Sequence, residues 1–168
     1  PIARITGAAT DVTLPEGIAV DGSGTIYVFT RAPSPGAIVE FPAGSNGNVT
    51  PSNVITGANT DLSFSGGLVL DKSGNIWVSN QTGPVAILEF AAGATGNAVP
   101  IRNISGSNTN QGDPIGIAVD QQGYIYSADL STVAINVYGP AENGNVPPAQ
   151  IVSGSGTTPC EPFGIAVH

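Results

Sequence analysis

Short apolar runs separated by polar breaks dominate the hydrophobic pattern of this chain. In the first third the runs are GIAV (17–20), TIYVFT (25–30), AIVEF (37–41) and SNVITG (52–57). Each is rich in Ile, Val, Tyr or Phe and is bounded by Gly, Pro, Asn or Asp, which is typical of β-strands between tight turns. No stretch has the spacing of an amphipathic helix. The pattern predicts an all-β protein, and the consecutive apolar residues of GIAV predict a strand buried on both faces.

The same pattern recurs along the whole chain. PEGIAVDGSG (15–24), SGGLVLDKSG (65–74), PIGIAVDQQG (114–123) and the final PFGIAVH (162–168) are copies of one motif. Their central glycines Gly17, Gly67, Gly116 and Gly164 are 50, 49 and 48 residues apart, and a segment ending in ITG, ISG or VSG precedes each by ten residues. We therefore divide the chain into repeats 1–50, 51–99 and 100–147 and a partial repeat 148–168.

Four short strands in a unit of roughly 40–50 residues are typical of a β-propeller blade. The predicted fold is a single all-β propeller segment of residues 1–168, with three four-stranded blades and one incomplete blade. An outer strand before the first blade and an inner strand after the third bring the predicted count to fourteen. Three explanations remain for the incomplete blade: a segment of a ring of roughly six or seven blades, copies that pair through open edges, or a designed or reconstructed sequence.

The motif copies resemble the NHL repeat, in which P-x-G-I-A-V-D-x-x-G-x-I-Y-V-A-D opens each blade. The resemblance covers PEGIAVDGSGTIYVFT, GGLVLDKSGNIWVSN and PIGIAVDQQGYIYSAD, about fifteen residues of each repeat. It departs after the second strand, where the turn lacks the usual Asn-Arg pair. The resemblance implies NHL-like blades, in a group whose lyases and lactonases carry a central histidine or a metal bound by carboxylates. Since propellers host many unrelated functions, the resemblance selects no activity.

Composition narrows the partners and the location. Only 10% of the residues are charged, and the formal net charge is −8. An acidic surface without a basic cluster repels nucleic acid and anionic membranes, so neither is a predicted partner. There is no transmembrane run and no signal peptide, and Pro1 is not a natural start, so we expect an excised or processed segment. The composition is that of an extracellular module, either secreted or on the cell surface.

Aspartate recurs at one position of the turn after each motif, as Asp21, Asp71 and Asp120. An aspartate at this position bonds the backbone that follows it, and a glycine later in the turn accepts positive φ. We therefore expect these carboxylates to be structural and not metal ligands.

In a propeller, the loops before the inner strands and the loops after the second strands share the usual binding face. Polar residues recur there at equivalent positions: Thr30, Asn80 and Asp129, and also Asp11, Asp61 and Asn110. They are either oxygen ligands for Ca²⁺ or a sugar-like molecule, or loop caps that recur because the blade recurs.

Residues that break the repeat are better candidates for a specific site. Glu16, Arg31, Asp113 and Asp129 do so, and Asn80 joins Glu16 and Asp129 in a conceivable calcium site. These five residues are the predicted ligand-binding set.

Catalysis has little support in the sequence. Cys160 is the only cysteine and His168 the only histidine, so no Ser-His-Asp or Cys-His arrangement and no His/Cys zinc site is predicted. No catalytic residue, no metal-binding residue and no cofactor is predicted, with Ca²⁺ as the one candidate. We predict a non-catalytic binding or scaffold module for a protein or a small polar ligand. Two alternatives stay open: part of a calcium-dependent hydrolase or lyase, and a self-assembling structural protein that pairs through blade edges.

Overall fold

Twelve strands in three antiparallel four-stranded sheets make up the fold in the computed structural model, which describes residues 2–32, 34–154 and 162–167. The first sheet contains β1 (Pro15–Val20), β2 (Ile26–Thr30), β3 (Ala37–Phe41) and β4 (Asn53–Ile55). The second contains β5 (Ser65–Leu70), β6 (Ile76–Asn80), β7 (Ala86–Phe90) and β8 (Arg102–Ser105). The third contains β9 (Pro114–Val119), β10 (Ile125–Asp129), β11 (Ala134–Tyr138) and β12 (Gln150–Val152). The predicted all-β class is confirmed.

Each sheet is a simple meander in which sequential strands are neighbours. A single 3₁₀ turn, Ala8–Thr10, is the one helical element among the described residues. The last strand of each sheet comes from the beginning of the next repeat interval, so the sheets span 15–55, 65–105 and 114–152.

The turn aspartates are structural, as predicted. The Oδ1 atom of Asp21 accepts hydrogen bonds from the backbone N–H groups of Ser23 and Thr25, both at 2.9 Å. Asp71 and Asp120 make the equivalent bonds in the other two sheets. The hydrogen bond from the Ser23 hydroxyl, together with these backbone bonds, lowers the pKa of Asp21 to about 2. The carboxylates thus fix the turn between the first two strands of each sheet.

Close contact between the first strands of neighbouring sheets explains the repeated glycine of the motif. A Cβ atom at Gly17 would lie 2.9 Å from the backbone nitrogen of Leu68. At Gly67 it would lie 2.8 Å from the carbonyl oxygen of Ile115, and at Gly116 3.0 Å from that of Phe163. Only glycine lets two backbones approach this closely. The first strands therefore stack side by side, and the sheets extend away from them.

Two apolar clusters fill the spaces between the sheets. Phe29, Ile38, Leu68, Leu88 and Phe90 belong to the cluster between the first and second sheets. The cluster between the second and third sheets includes the fully buried Trp77 and Tyr138. Trp77 therefore packs between the second and third sheets.

The described residues contain twelve strands and not the fourteen predicted. Near the N-terminus only Ile5 forms a bridge, with Gly47, instead of an extended outer strand. Residues 162–167 lie beside Gly116 without strand pairing. Both segments lack a neighbouring strand of their own unit, so the ladder hydrogen bonds that define a strand have no partner.

The prediction that GIAV is buried on both faces is wrong for the first repeat. Ile18 is 67% exposed and Val20 58% exposed, whereas the equivalent Leu68 and Ile117 are each 7% exposed. A preceding sheet covers β5 and β9, while no sheet among the described residues covers the same face of β1. The first and third repeats have the same sequence, GIAV, so the neighbouring sheet decides the burial.

Candidate functional site

The loops before β1, β5 and β9 and the loops after β2, β6 and β10 lie at one end of the sheets, which we call the loop edge. One backbone hydrogen bond recurs there in every sheet. It joins Arg31 N to Leu14 O at 3.2 Å, Gln81 N to Phe64 O at 2.6 Å, and Leu130 N to Asp113 O at 2.9 Å. Each sheet therefore holds its two loops together in the same way.

The last residue of each second strand reinforces this connection from inside. Thr30 accepts a hydrogen bond from Thr13 N at 2.7 Å, and Asn80 accepts one from Ser63 N at 2.9 Å. Asp129 accepts hydrogen bonds from Gly112 N at 2.7 Å and Asp113 N at 2.9 Å. The three side chains are at most 1% exposed. A hydroxyl, an amide and a carboxylate thus accept the equivalent hydrogen bond from the loop backbone in the three sheets.

Two residues of the predicted ligand-binding set, Asn80 and Asp129, are therefore buried and bonded to loops. The Asn80 amide also donates to the carbonyl oxygens of Asp61, Thr82 and Pro84 at 2.9–3.2 Å. The second Asp129 oxygen accepts hydrogen bonds from the backbone and the hydroxyl of Thr132, at 2.8 and 2.9 Å. These bonds order the loops, and they occupy the oxygens that a ligand would need.

The recurring pair of threonine and aspartate or asparagine also shapes the loops. Asp11, Asp61 and Asn110 have φ values of 53–55°, a left-handed conformation that Asp and Asn tolerate better than most residues. The preceding threonines are buried, and each donates its hydroxyl to a glycine carbonyl oxygen three residues earlier, at 2.7–2.8 Å. Of the two interpretations of these recurring positions, the threonine hydrogen bonds support loop capping.

Glu16, Arg31 and Phe64 form a cluster that joins the first and second sheets at the loop edge. The Arg31 guanidinium lies 3.0 Å from the Glu16 carboxylate, and its Cζ atom lies 3.9 Å from the centre of the Phe64 ring. The side chains of Arg31 and Glu16 remain 32% and 24% exposed. A cation stacked on a ring and paired with an acid has a fixed position and open donors.

The five predicted ligand residues do not form one site in the part of the chain that the structure describes. Glu16 contacts Arg31, and Asp113 contacts Asp129 through its backbone, while Asn80 contacts neither pair. The side chain of Asp113 is half-buried. Within the same residues, no group of three or more His, Cys, Asp or Glu side chains is arranged to hold a metal ion. Cys160 and His168 lie outside the described residues.

A buried polar layer between the second and third sheets was missed by the sequence reasoning. Gln111 donates to the Tyr138 hydroxyl at 2.6 Å and accepts from the Ser127 hydroxyl at 3.1 Å. Asn136 and Asn110 exchange two hydrogen bonds, of 2.9 and 2.7 Å. Ser127, Asn136 and Tyr138 are fully buried, and burial raises the pKa of Tyr138. We call these five residues the polar layer.

A signal for the polar layer was present in the repeat alignment. The second sheet has Leu62, Val78, Leu88 and Phe90 where the third has Gln111, Ser127, Asn136 and Tyr138. Four apolar positions become polar together, which is expected when the new groups bond one another. A comparison of core positions between repeats would have revealed this change.

No family model and no curated protein matches this chain. Among solved structures, the chain is similar to a functionally unknown protein from Desulfotomaculum acetoxidans DSM 771, with a TM-score of 0.59 and 11% sequence identity. The similarity covers 82% of this chain and 42% of that chain, so this chain spans less than half the length of its structural neighbour. At this identity the similarity shows the fold alone. None of the helical residues described here forms a segment long and apolar enough to cross a membrane.

Proposed function

We propose that the chain is a non-catalytic binding or scaffold module, built of NHL-like propeller blades, whose loop edge binds an extracellular protein or a small polar ligand. The observation that carries this proposal is the combination of a constant loop backbone with side chains that differ between the sheets. A rigid frame that displays variable side chains is the usual arrangement of a recognition surface.

The constant part of the loop edge is its hydrogen bonding. The bonds from Arg31, Gln81 and Leu130 to the preceding loop are the same in the three sheets, and a buried side chain supports each. Loops that are already ordered lose little conformational entropy when a partner binds. The loop edge is therefore suited to binding without rearrangement.

The variable part consists of the side chains carried by these bonded positions. Leu14, Phe64 and Asp113 precede the first strands at equivalent positions, and Arg31, Gln81 and Leu130 follow the second strands. The loop edge thus carries an aromatic ring, a cation, an amide and a carboxylate, and at neither of the two equivalent positions does a residue type recur between sheets. Structural devices recur in a repeat protein, so a set that does not recur is the better candidate for specific contacts.

Two features support NHL-like propeller blades as the scaffold. The first strands of successive sheets stack through a conserved close contact at Gly17, Gly67 and Gly116, as expected for blades that meet at a common axis. Each sheet is a four-stranded antiparallel meander, which is the form of a blade.

The test compares two double variants of the same chemical type. Arg31→Ala/Phe64→Ala removes a cation and an aromatic ring from the loop edge, and Lys72→Ala/Tyr124→Ala removes the same two groups from the opposite turns, where both residues are exposed. Binders of the unmodified chain are first identified on a glycan array and on a panel of secreted-protein domains. We expect the loop-edge variant to weaken these interactions by about tenfold or more and the turn variant to leave them unchanged. Equal losses in both variants, or in neither, would contradict the proposal.

A further inference from the structure

The open face of the first sheet is the most exposed apolar surface of the described residues that continues an interface already present in the fold. It contains a groove of about 410 Å³ beside β1, lined mainly by Ile5, Val12, Ile18, Ile26, Val28 and Phe41. Ile18 and Val20 are 67% and 58% exposed, whereas Leu68 and Ile117, the equivalents of Ile18 in the other two sheets, are each 7% exposed. An exposed apolar patch of this kind marks a contact site.

The repeats themselves indicate what covers such a face. Leu68 in β5 and Ile117 in β9 occupy the position of Ile18, and both are buried against the first strand of the preceding sheet. In each case the covering strand brings a glycine to the contact, Gly17 over Leu68 and Gly67 over Ile117. The occupant that fits Ile18 is therefore another first strand with glycine at this position.

The C-terminal segment offers such a strand. Residues 162–167 lie next to β9, where Phe163 and Ile165 contact the Gly116 position. In this segment Gly164 has no atom within 4 Å of the place where a Cβ would stand, and Phe163 is 60% exposed. The series of glycine contacts thus ends on a glycine that has nothing against it.

The outer faces of the first and third sheets are each covered in part, and the uncovered parts are complementary. On the face of the first sheet, Ile5 and Val12 pack against the buried Val39 and Phe41, while Ile18 and Val20 are open. On the third sheet, residues 162–167 cover the first strand, while Val152 in the last strand is 37% exposed. The equivalent Ile55 and Ile104 are fully buried. One end is open at its first strand and the other at its last strand.

We propose that a second copy of this chain covers the groove, with its segment 162–167 stacked on Ile18 and Val20 of the first copy. The contact is head to tail, because one end of the stack meets the other end of its neighbour. It continues the contacts that join the three sheets within one chain. Of the Glu16, Arg31 and Phe64 cluster at the loop edge, only Glu16 lines the groove that the second copy covers.

Two substitutions test this contact without disturbing the isolated chain. Ile18→Asp puts a charge on an exposed side chain, and Val99→Asp, at a residue also 67% exposed but outside the groove, is its control. Gly164→Val adds a side chain where the single copy has open space, and Gly22→Val, which also has nothing within 4 Å, is its control. Circular dichroism and thermal melts establish that all four variants fold as the unmodified chain does.

Sedimentation velocity over a concentration series provides the measurement. We expect the 168-residue chain to self-associate with increasing concentration, and Ile18→Asp and Gly164→Val each to weaken the association by about tenfold or more. The two controls should associate as the unmodified chain does. A chain that stays monomeric throughout the series, or an association that neither substitution weakens, would overturn the proposal.

Mixing the two interface variants separates a head-to-tail contact from a symmetric one. Ile18→Asp keeps a working C-terminal end and Gly164→Val keeps a working groove, so an equimolar mixture should form a dimer at concentrations where each variant alone is largely monomeric. The dimer should not grow further, because its two outer ends are both blocked. A symmetric contact between two grooves predicts instead that Gly164→Val, whose groove is intact, associates alone as strongly as the unmodified chain, and that result would overturn the head-to-tail arrangement.

Discussion

The two interfaces between sheets differ at one set of equivalent positions, which is apolar between the first and second sheets and polar between the second and third. Leu62, Val78, Leu88 and Phe90 are buried in the first interface, whereas the polar layer occupies the same positions in the second. The backbone arrangement is nevertheless the same, with a first-strand glycine against its neighbour in both. The close glycine contact and the strand pairing therefore set the geometry of the interface, and either apolar or hydrogen-bonded polar side chains can fill the space between the sheets.

The two interfaces differ in what they tolerate. Apolar side chains stabilise by the area that they bury and accept several packings. A buried hydrogen-bond network stabilises only when every donor and acceptor has its partner, so it requires one arrangement. The second interface is therefore the more specific of the two, and the first is the more forgiving of small changes in shape.

The largest effect is expected from Phe90→Ala in the apolar interface. Phe90 is fully buried between the first and second sheets, and removing its ring leaves a cavity that rigid sheets fill poorly. We expect the free energy of unfolding to fall by about 3–5 kcal/mol, measured by urea denaturation. The matched Ile2→Ala, at a fully exposed apolar residue, should change it little. A loss for Phe90→Ala as small as that for Ile2→Ala would show that this interface does not carry the stability assigned to it.

The second prediction exchanges the chemistry of the polar layer. Asn136→Leu alone leaves the Asn110 side chain without its buried partner, so we expect a loss of about 1–3 kcal/mol. A variant that introduces the residues of the second repeat at all five positions, Asn110→Asp, Gln111→Leu, Ser127→Val, Asn136→Leu and Tyr138→Phe, should lose clearly less than the sum of its five single losses. The side chains that a single substitution leaves unpaired are removed together, and only the carbonyl oxygens of Thr109 and Asn110 lose their donors. Denaturant unfolding of both variants measures this. If the fivefold variant loses the sum of its single losses, the layer does not act as a unit.

How far the sequence predicts the molecule depends on whether a feature recurs. The motif PEGIAVDGSG and its copies predict the strands and the turn aspartates, because each copy faces the same local constraint. The motif also fixes the positions of the recurring glycines, but their close contact with the neighbouring strand is seen only in the structure. The exposure of Ile18 was not predictable from the motif, since it depends on a neighbouring sheet and not on local sequence. Asn80 and Asp129 were predicted to bind a ligand, yet they are buried and hydrogen-bonded to the loops. A polar side chain at the end of a strand can bond either a loop or a ligand, and the sequence does not distinguish the two. Glu16 and Arg31 were identified as exceptions to the repeat, and their contact with Phe64 emerged only from the packing of two sheets.

The third prediction compares two glutamates at equivalent positions of the two interfaces. Glu89 is 2% exposed and forms an ion pair with Arg102, so Glu89→Gln should lower the free energy of unfolding by about 1–3 kcal/mol at neutral pH. Glu40 accepts a hydrogen bond from Asn53 at 2.9 Å, and burial raises its pKa above the ordinary value of 4.5. The folded state therefore binds the proton of the Glu40 carboxyl group more tightly than the unfolded chain does. The free energy of unfolding decreases as the pH rises from the ordinary pKa of this group to its raised pKa in the folded state.

Glu40→Gln should therefore have the opposite sign from Glu89→Gln. It removes the cost of ionising a half-buried carboxylate while keeping an acceptor for Asn53, so the variant should be more stable than the unmodified chain at pH 7. The difference should disappear below the ordinary pKa of the carboxyl group, where both side chains are neutral. Thermal melts from acidic to neutral pH provide the measurement. A destabilised Glu40→Gln at pH 7 would mean that the charge at this position is stabilising after all.

The smallest effect is expected from added calcium. The candidate ligand, Asp129, lies at the loop edge and at the end of a strand that borders the second interface. A calcium site at Asp129 would have to displace hydrogen bonds from Gly112, Asp113 and Thr132 that order the loop, at a cost that the coordination would have to exceed. We therefore expect neither added Ca²⁺ nor EDTA to shift the melting temperature of the chain, with Mg²⁺ at equal ionic strength as the control for general charge screening. A rise with Ca²⁺ alone that Asp129→Asn abolishes would instead indicate a metal site that rearranges this loop, and it would favour the calcium-dependent hydrolase or lyase over a non-catalytic module.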